Sequence, residues 1–419
     1  MDIPKSIKKT LWNPDAVIIM TMTLLFGILA FFYNTKHTYN EQFVWLAESF
    51  LKGQLYLAEP IKRFIDLALV DGKFFWHLPP LPAILLVPFV WFWKILHVPI
   101  YQWYLNIPFS VGVFVLCFKI AKRFAFSWTD ALYLANAFLF ASVYHQIAFL
   151  SWSWYLSQSL TAFLMFLALY EFFTRKRWGL IGIIFAALLM TRPTAVLGII
   201  FFLAGIIFNT IDEELPHIAH HMTHHSKLRS IIQLILPCFF TIPLLLAYNQ
   251  ARFGSYWESG YALTNNFANP ANTSYQLFSL SNIPTNFSAY FLSAPKMILE
   301  KLKQGVDGIS SFRLPRLKVE HPGVSFFVVS PIFLWLLRAQ WRKRLVRLAL
   351  LPILILLPTL LAFWGPGWNQ IGPRYTLDFL PFAWVILLFA FPQQKLSKSA
   401  KILIVLSSYF NFFLLATTY

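Results

Sequence analysis

Residues 178–208 read WGLIGIIFAALLMTRPTAVLGIIFFLAGIIF. Two uncharged apolar runs, 178–190 and 194–208, flank Thr191-Arg192-Pro193, and the basic cluster TRKRW at 174–178 leads into them. A helix that crosses the hydrocarbon core needs about 20 apolar residues, and each run falls short of that. The stretch reads as membrane-embedded half-helices or tilted elements with a charge at their junction. An arginine at membrane depth is expensive and often functional; an interfacial Arg192 is the alternative.

The rest of the chain repeats the pattern. Of 419 residues, 58% are hydrophobic and only 12% charged, about half the charged share of a soluble domain; the mean hydropathy is +0.61. Apolar runs of spanning or near-spanning length recur at 15–33, 79–96, 103–121, 128–149, 154–173, 178–190, 194–208, 230–248, 323–337, 345–364, 377–392 and 400–417. The alternation of a transmembrane barrel is absent. The fold expected is an all-α integral membrane protein of about 11–13 transmembrane helices, forming one polytopic domain over 1–419. The N-terminal basic residues precede an apolar run with no small-residue cleavage site, so the first span is expected to be retained.

The formal charge of +17 would suggest nucleic acid in a soluble protein. Here the cations cluster between apolar runs: KSIKK at 5–9, KIAKRF at 119–124, TRKRW, RAQWRKRLVR at 338–347 and KLSKSAK at 395–401. That is the positive-inside pattern, and it removes nucleic acid as a partner. Cys117 and Cys238 both lie in apolar runs and offer neither a disulfide framework nor zinc spacing.

The clusters orient the chain. The N-terminus is internal and 34–78 is the first external loop; 209–229 is internal, 249–322 is the second external loop and 364–376 a third. The C-terminus is then external, which needs an odd number of spans. One conflict arises: if 79–96 and 103–121 both cross, KIAKRF lands outside. Either an early segment is re-entrant or 178–208 is a single broken crossing. In the first loop Phe43, Leu46, Ala47 and Phe50 share a helical face, predicting a short interfacial helix ended by Gly53.

The polar residues that could carry chemistry gather outside. Glu41, Glu48, Glu59, Asp66 and Asp71 lie in the first loop, Glu258 in the second, and Asp378 just beyond the third. Arg252 and Arg374 are the external cations near span ends, within YNQARFGS and GPRYTLDFLP. A carboxylate at a cleft can serve as a general base, and an arginine can clamp a phosphate through paired donors. Asp378, four residues beyond Arg374, is expected to pair with it. Asp71-Gly72 reads as a tight turn. In DLALVDGKFFWHLPPLP at 66–82 the acids and Lys73 are expected to line a cleft mouth, with Phe74, Phe75 and Trp76 at interfacial depth and the prolines fixing where the next segment begins. Together these features suit an anionic, lipid-borne substrate at the outer surface.

The ordered set resembles the GT-C superfamily of polytopic membrane glycosyltransferases, in particular its bacterial polyprenyl-phosphate-mannose-protein mannosyltransferase-like members. The matching motifs are D-x-A-x-x-x-G-K-x-x-x-x-x-P-P-L-P-A from Asp66, Y-N-x-x-R-F-G-S…S-G-Y at 248–261, G-P-R-Y-x-L-D-F-L-P at 372–381 and T-R-P at 191–193. The resemblance implies a GT-C-like arrangement with short interfacial helices on the external loops. It implies a sugar donor carried on polyprenyl phosphate, transfer to an acceptor hydroxyl on the external face of the cell membrane, and no nucleotide-sugar site. The family's catalytic aspartate stands early in the first external loop, where this chain has Asn40 followed by Glu41. The role passes to Glu41, with Asp66 as second choice. Lys73, His77, Arg192, Asn249, Arg252, Arg374, Tyr375 and Asp378 are the candidate substrate-binding residues. No cofactor is required, although Glu41 and Asp66 could contribute ligands to a divalent ion.

Other readings compete. A lipid-linked sugar flippase or transporter would carry charges at mid-span and symmetry between halves, and neither is evident. A surface-polysaccharide ligase or polymerase would share the lipid-phosphate chemistry. The histidines at 217, 220, 221, 224 and 225 form one helical stripe able to hold zinc or nickel, but an ordinary polar surface helix on the internal side is the simpler reading.

Overall fold

The computed structural model describes residues 13–57, 66–209, 226–264, 276–298, 316–368 and 370–419. The histidine stripe, Glu59 and the KSIKK cluster fall outside the described residues. The protein is mostly helical, and five helices are long and apolar enough to cross a membrane: α1 (Pro14–Lys36), α4 (Trp103–Arg123), α10 (Lys227–Phe253), α13 (Arg344–Ala362) and α15 (Lys398–Thr418). Between them lie α2 (Gln42–Leu51), the hairpin β1 (Leu67–Val70) and β2 (Lys73–Trp76), and α3 (Leu81–Ile95). Next come α5 (Trp128–Leu139), α6 (Tyr144–Phe149), α7 (Ser153–Phe172), α8 (Trp178–Leu189) and α9 (Ile199–Phe208). Beyond α10 follow α11 (Ile283–Phe291), the strand pair β3 (Lys296–Ile298) and β4 (Arg316–Lys318), α12 (Phe326–Val329) and, after α13, α14 (Leu380–Leu388).

Contacts between element ends define two faces. On one, Lys401 lies 2.9 Å from both Asp15 and Asp130, and the Arg123 Nε donates to the Phe173 carbonyl at 3.3 Å. On the same face Lys227 donates to the Ile207 carbonyl, Arg344 to that of Phe208, and the Gln340 amide to that of Phe389. The KIAKRF, TRKRW, RAQWRKRLVR and KLSKSAK clusters all fall here; we call it the basic face. On the other, Trp152 donates to the His37 carbonyl, the Leu81 amide to that of Met190, Arg252 to that of Trp76 and the Trp364 amide to that of Leu277. Pro14 starts at the basic face and Tyr419 lies at the opposite one, where its hydroxyl accepts from Gln146.

The conflict over KIAKRF resolves at α3. Its first residue bonds Met190 on the second face, and near its end Lys94 is 4.0 Å from Glu48 on α2 while Trp93 meets Tyr104 at the start of α4. Both ends stay on one face. The expected span at 79–96 is therefore a helix laid against α2. Phe43, Leu46, Trp76, Leu78, Leu86 and Val90 form a separate hydrophobic cluster between them, each large side chain contributing about 2–3 kcal/mol on burial. Trp76 is fully buried there, and Phe75 beside it is nearly so.

The 178–208 stretch is a helical hairpin. Gly182 of α8 packs on the backbone of Gln233 and Leu234 early in α10, Thr191 and Arg192 approach Leu245 and Asn249 late in α10, and Phe208 returns to the basic face. A second break divides the 128–149 run between Leu139 and Tyr144. Carbonyls at such a break must find donors inside a membrane. Asn411 and the His145 ring bond the Phe140 carbonyl at the break; at the far end of α6, Asn106 bonds the Ile147 carbonyl at 2.9 Å and Asn34 that of Ala148 at 2.8 Å.

Candidate functional site

The second face holds a cavity of about 300 Å³. Five sequence segments converge on it: the end of the β1–β2 hairpin, the Thr191–Thr194 hairpin tip, the last turns of α10 with the loop to Tyr261, Leu277-Phe278, and Leu360, Phe363 and Tyr375. Its wall is largely apolar, with Pro79, Leu245, Phe278, Leu360 and Phe363, and its polar groups are the two guanidiniums, the Asn249 amide, the His77 ring and several hydroxyls.

Arg192 sits where the helix breaks. Its Nε and Nη2 donate side-on to the two Asp378 carboxylate oxygens at 2.8 and 3.0 Å, and Thr194 Oγ1 adds 2.7 Å to the same carboxylate. The Asp378 side chain is 0% exposed and that of Arg192 12%, so the pair is bidentate and nearly dry. The guanidinium lies 5.5 Å from the Tyr375 ring centre. Asp378 was expected to pair with Arg374. It pairs with Arg192 because residues 374–378 form a tight 3-10 turn, not the α-helix that an i, i+4 pairing requires.

Arg252, in the last turn of α10, is held differently. Nη1 donates to the Trp76 carbonyl at 2.8 Å, Nη2 to Asn249 Oδ1 at 2.9 Å, and the plane rests on Tyr248 and Phe253. Its Nε has no partner, and no carboxylate lies within ion-pair distance among the described residues. Arg374 is buried behind Tyr375, between that ring (4.9 Å) and Tyr155 (5.4 Å), with Nε and Nη1 unpartnered. It does not line the cavity, which departs from its expected place as the leading phosphate ligand.

His77 closes one wall. The turn Asp71-Gly72 has both φ angles positive, 49° and 72°, the geometry of a two-residue hairpin, and it brings β2 back to His77. Asp66 opens β1 in a left-handed conformation, φ 56°, and its carbonyl lies 2.8 Å from His77 Nδ1. A carbonyl only accepts, so Nδ1 carries the proton and Nε2 keeps the lone pair. Burial pushes the imidazole down to about 4, partly opposed by the Asp66 charge. The Asp66 carboxylate also acts on the Tyr261 hydroxyl, which burial holds well above its usual range. Gly260, φ 92°, is required here: a Cβ would stand 2.6 Å from the Phe253 ring and 3.2 Å from His77 Cβ.

The structure thus gathers His77, Arg192, Asn249, Arg252 and Tyr375 at one cavity, with Asp378 and Asp66 directly behind. It does not bring Glu41 or Lys73 there. Lys73 is exposed on the hairpin, 4.8 Å from the Tyr56 ring. Glu41 precedes α2 and accepts from the Gln102 amide at 2.8 Å, its other oxygen unpartnered. Burial raises its carboxyl to about 8, so it is mostly protonated at neutral pH. Around it Gln102 bonds the Asn40 and Ser151 carbonyls, and Ser153 bonds Gln42, a network that ties α2 to α4 and α7. Among the described residues no three His, Cys, Asp or Glu side chains converge as a metal cluster. Tyr248, Ser259 and Tyr261 also line the cavity; the YNQARFGS and SGY motifs contained them, but nothing in their spacing says which side chains turn inward. Comparison with protein families, curated proteins and solved structures found no match to this chain.

Proposed function

We propose that the protein is a membrane glycosyltransferase of GT-C-like arrangement. It moves a sugar from a polyprenyl-phosphate donor to an acceptor hydroxyl on the external face, the face opposite the basic clusters. The observation that carries the reading is the composition of the cavity: a mostly apolar wall interrupted by Arg192 and by Arg252, a buried cation with no carboxylate at ion-pair distance among the described residues and the Glu258 charge acting on it from farther away. A buried charge of this kind is costly unless something neutralises it, and an amphiphile with a phosphate head meets both demands. The motif resemblance supplies the reaction class.

In this reading Arg252 and Arg192 hold the donor phosphate and stabilise charge as it leaves. Asp66 takes the proton from the acceptor hydroxyl. The acceptor oxygen attacks the anomeric carbon, the bond from that carbon to the phosphate oxygen breaks, and polyprenyl phosphate departs with the electron pair. Glu41 is set aside as base because it is walled off from the cavity and holds its own proton near neutrality. The test is transfer of radiolabelled mannose or glucose from polyprenyl phosphate by the purified protein. Wild type and Glu41→Gln are expected to transfer label, with Asp66→Asn at about a hundredth of the rate or less. Unimpaired Asp66→Asn would remove the base; a wild type that consumes neither donor would remove the reaction.

A further inference from the structure

His77 is a cavity group held in place on every side, and its remaining ring nitrogen is an acceptor only. Its Nδ1 is committed to the Asp66 carbonyl, its ring meets Tyr261 edge-on with centroids 4.3 Å apart, and Gly260 packs on its Cβ. Arg192, Arg252 and the cavity tyrosines present donors, and Asn249 Oδ1 is already taken by Arg252. A phosphate needs donors, and an imidazole lone pair would repel it. A neutral hydroxyl beside the phosphate has a proton to give.

We infer that His77 Nε2 accepts a hydrogen bond from a hydroxyl of the transferred sugar, so that the cavity recognises the glycosylated lipid phosphate over the bare one. This rests on the proposed donor class and adds the group that separates substrate from product. The lowered basicity of the ring keeps it an acceptor through the physiological range. After transfer the hydroxyl is gone, His77 loses its partner, and the bare lipid phosphate is held by the arginines alone, which favours its release.

The experiment measures binding of farnesyl phosphate and of farnesyl-phosphate mannose, glucose and galactose to the full chain in nanodiscs. Wild type is expected to bind at least one glycosylated probe about 10-fold tighter than farnesyl phosphate, the worth of one well-formed bond to a buried acceptor. His77→Phe, which keeps a ring of similar bulk, brings that ratio to about one and leaves farnesyl phosphate affinity unchanged. His77→Gln, whose carbonyl can accept, recovers part of the ratio; a purely structural role would not follow that order. A His77→Phe protein that keeps the preference, or that loses both affinities equally, overturns the inference and leaves the proposed function standing. A wild type that binds the probes without preferring any sugar also overturns it. A wild type that binds none of the probes overturns the donor class and the inference with it.

Discussion

The buried charges on the two faces are treated in opposite ways. On the basic face Lys401 sits between Asp15 and Asp130 at 2.9 Å each, and Glu171 holds Arg177 at 2.7 Å; each buried charge there meets its opposite. On the other face one carboxylate, Asp378, serves Arg192, while among the described residues Arg252 and Arg374 meet carbonyl, amide and aromatic partners and no carboxylate at ion-pair distance. A protein that only needed to fold would gain by pairing or removing those cations. Paired charges knit helices together; under the proposed function, those without a carboxylate at ion-pair distance are kept for a ligand.

The largest effect is expected at the buried pair on the site face, Arg192 with Asp378. Asp378→Asn leaves Arg192 buried without its carboxylate, which costs about 3–5 kcal/mol. We expect sharply reduced folded protein on gel filtration and no transfer. A variant that melts like wild type would break the comparison, because Arg192 would then not depend on its partner.

Glu41 gives the next effect, and its sign is fixed by the raised pKa. The unfolded carboxyl ionises near 4.5 and the folded one near 8, so between those values the unfolded state binds fewer protons and wild-type stability falls as pH rises. Glu41→Gln has no such slope. The two proteins should melt together near pH 4.5 and diverge by up to about 4 kcal/mol in favour of the variant by pH 8, read as melting temperatures in detergent. A constant difference across that range would show that the carboxyl does not hold its proton.

Lys401→Met is expected to cost about 2 kcal/mol, since the ammonium is only 15% exposed and its removal strands Asp130. Transfer per folded molecule should be unchanged; a lower turnover would place the basic face in the reaction. The smallest effect belongs to Arg177→Ala. The arginine is 54% exposed although Glu171 is only 3% exposed, so solvent at the guanidinium holds the effect to about 1 kcal/mol; a melting shift beyond a few degrees would show that Glu171 depends on its partner as Asp130 does on Lys401.

Much of the fold is legible in the sequence because hydropathy and basic clusters act locally. The short helix at α2, its end at Gly53 and the Asp71-Gly72 turn all follow from neighbouring residues. The break at Phe140–Val143 does not. No proline or glycine marks it, and its Phe140 carbonyl is satisfied by the His145 ring and by Asn411, a residue distant in the chain. The run at 79–96 misleads for a similar reason: its composition suits a span, and only packing against α2 keeps it on one face. At the site, the motifs name the residues but not their partners. Arg374 and Asp378 look like a pair along the chain, and the pair that forms joins Asp378 to Arg192 across 186 positions.

The most direct test of the account is binding of farnesyl phosphate to nanodisc-embedded wild type, Arg252→Met and Arg177→Ala, each checked for wild-type-like elution. Arg252→Met is expected to weaken binding by at least 10-fold, and Arg177→Ala to leave it unchanged. Equal affinity in all three proteins would contradict the claim that the unpaired cations of the cavity are kept for an anionic lipid.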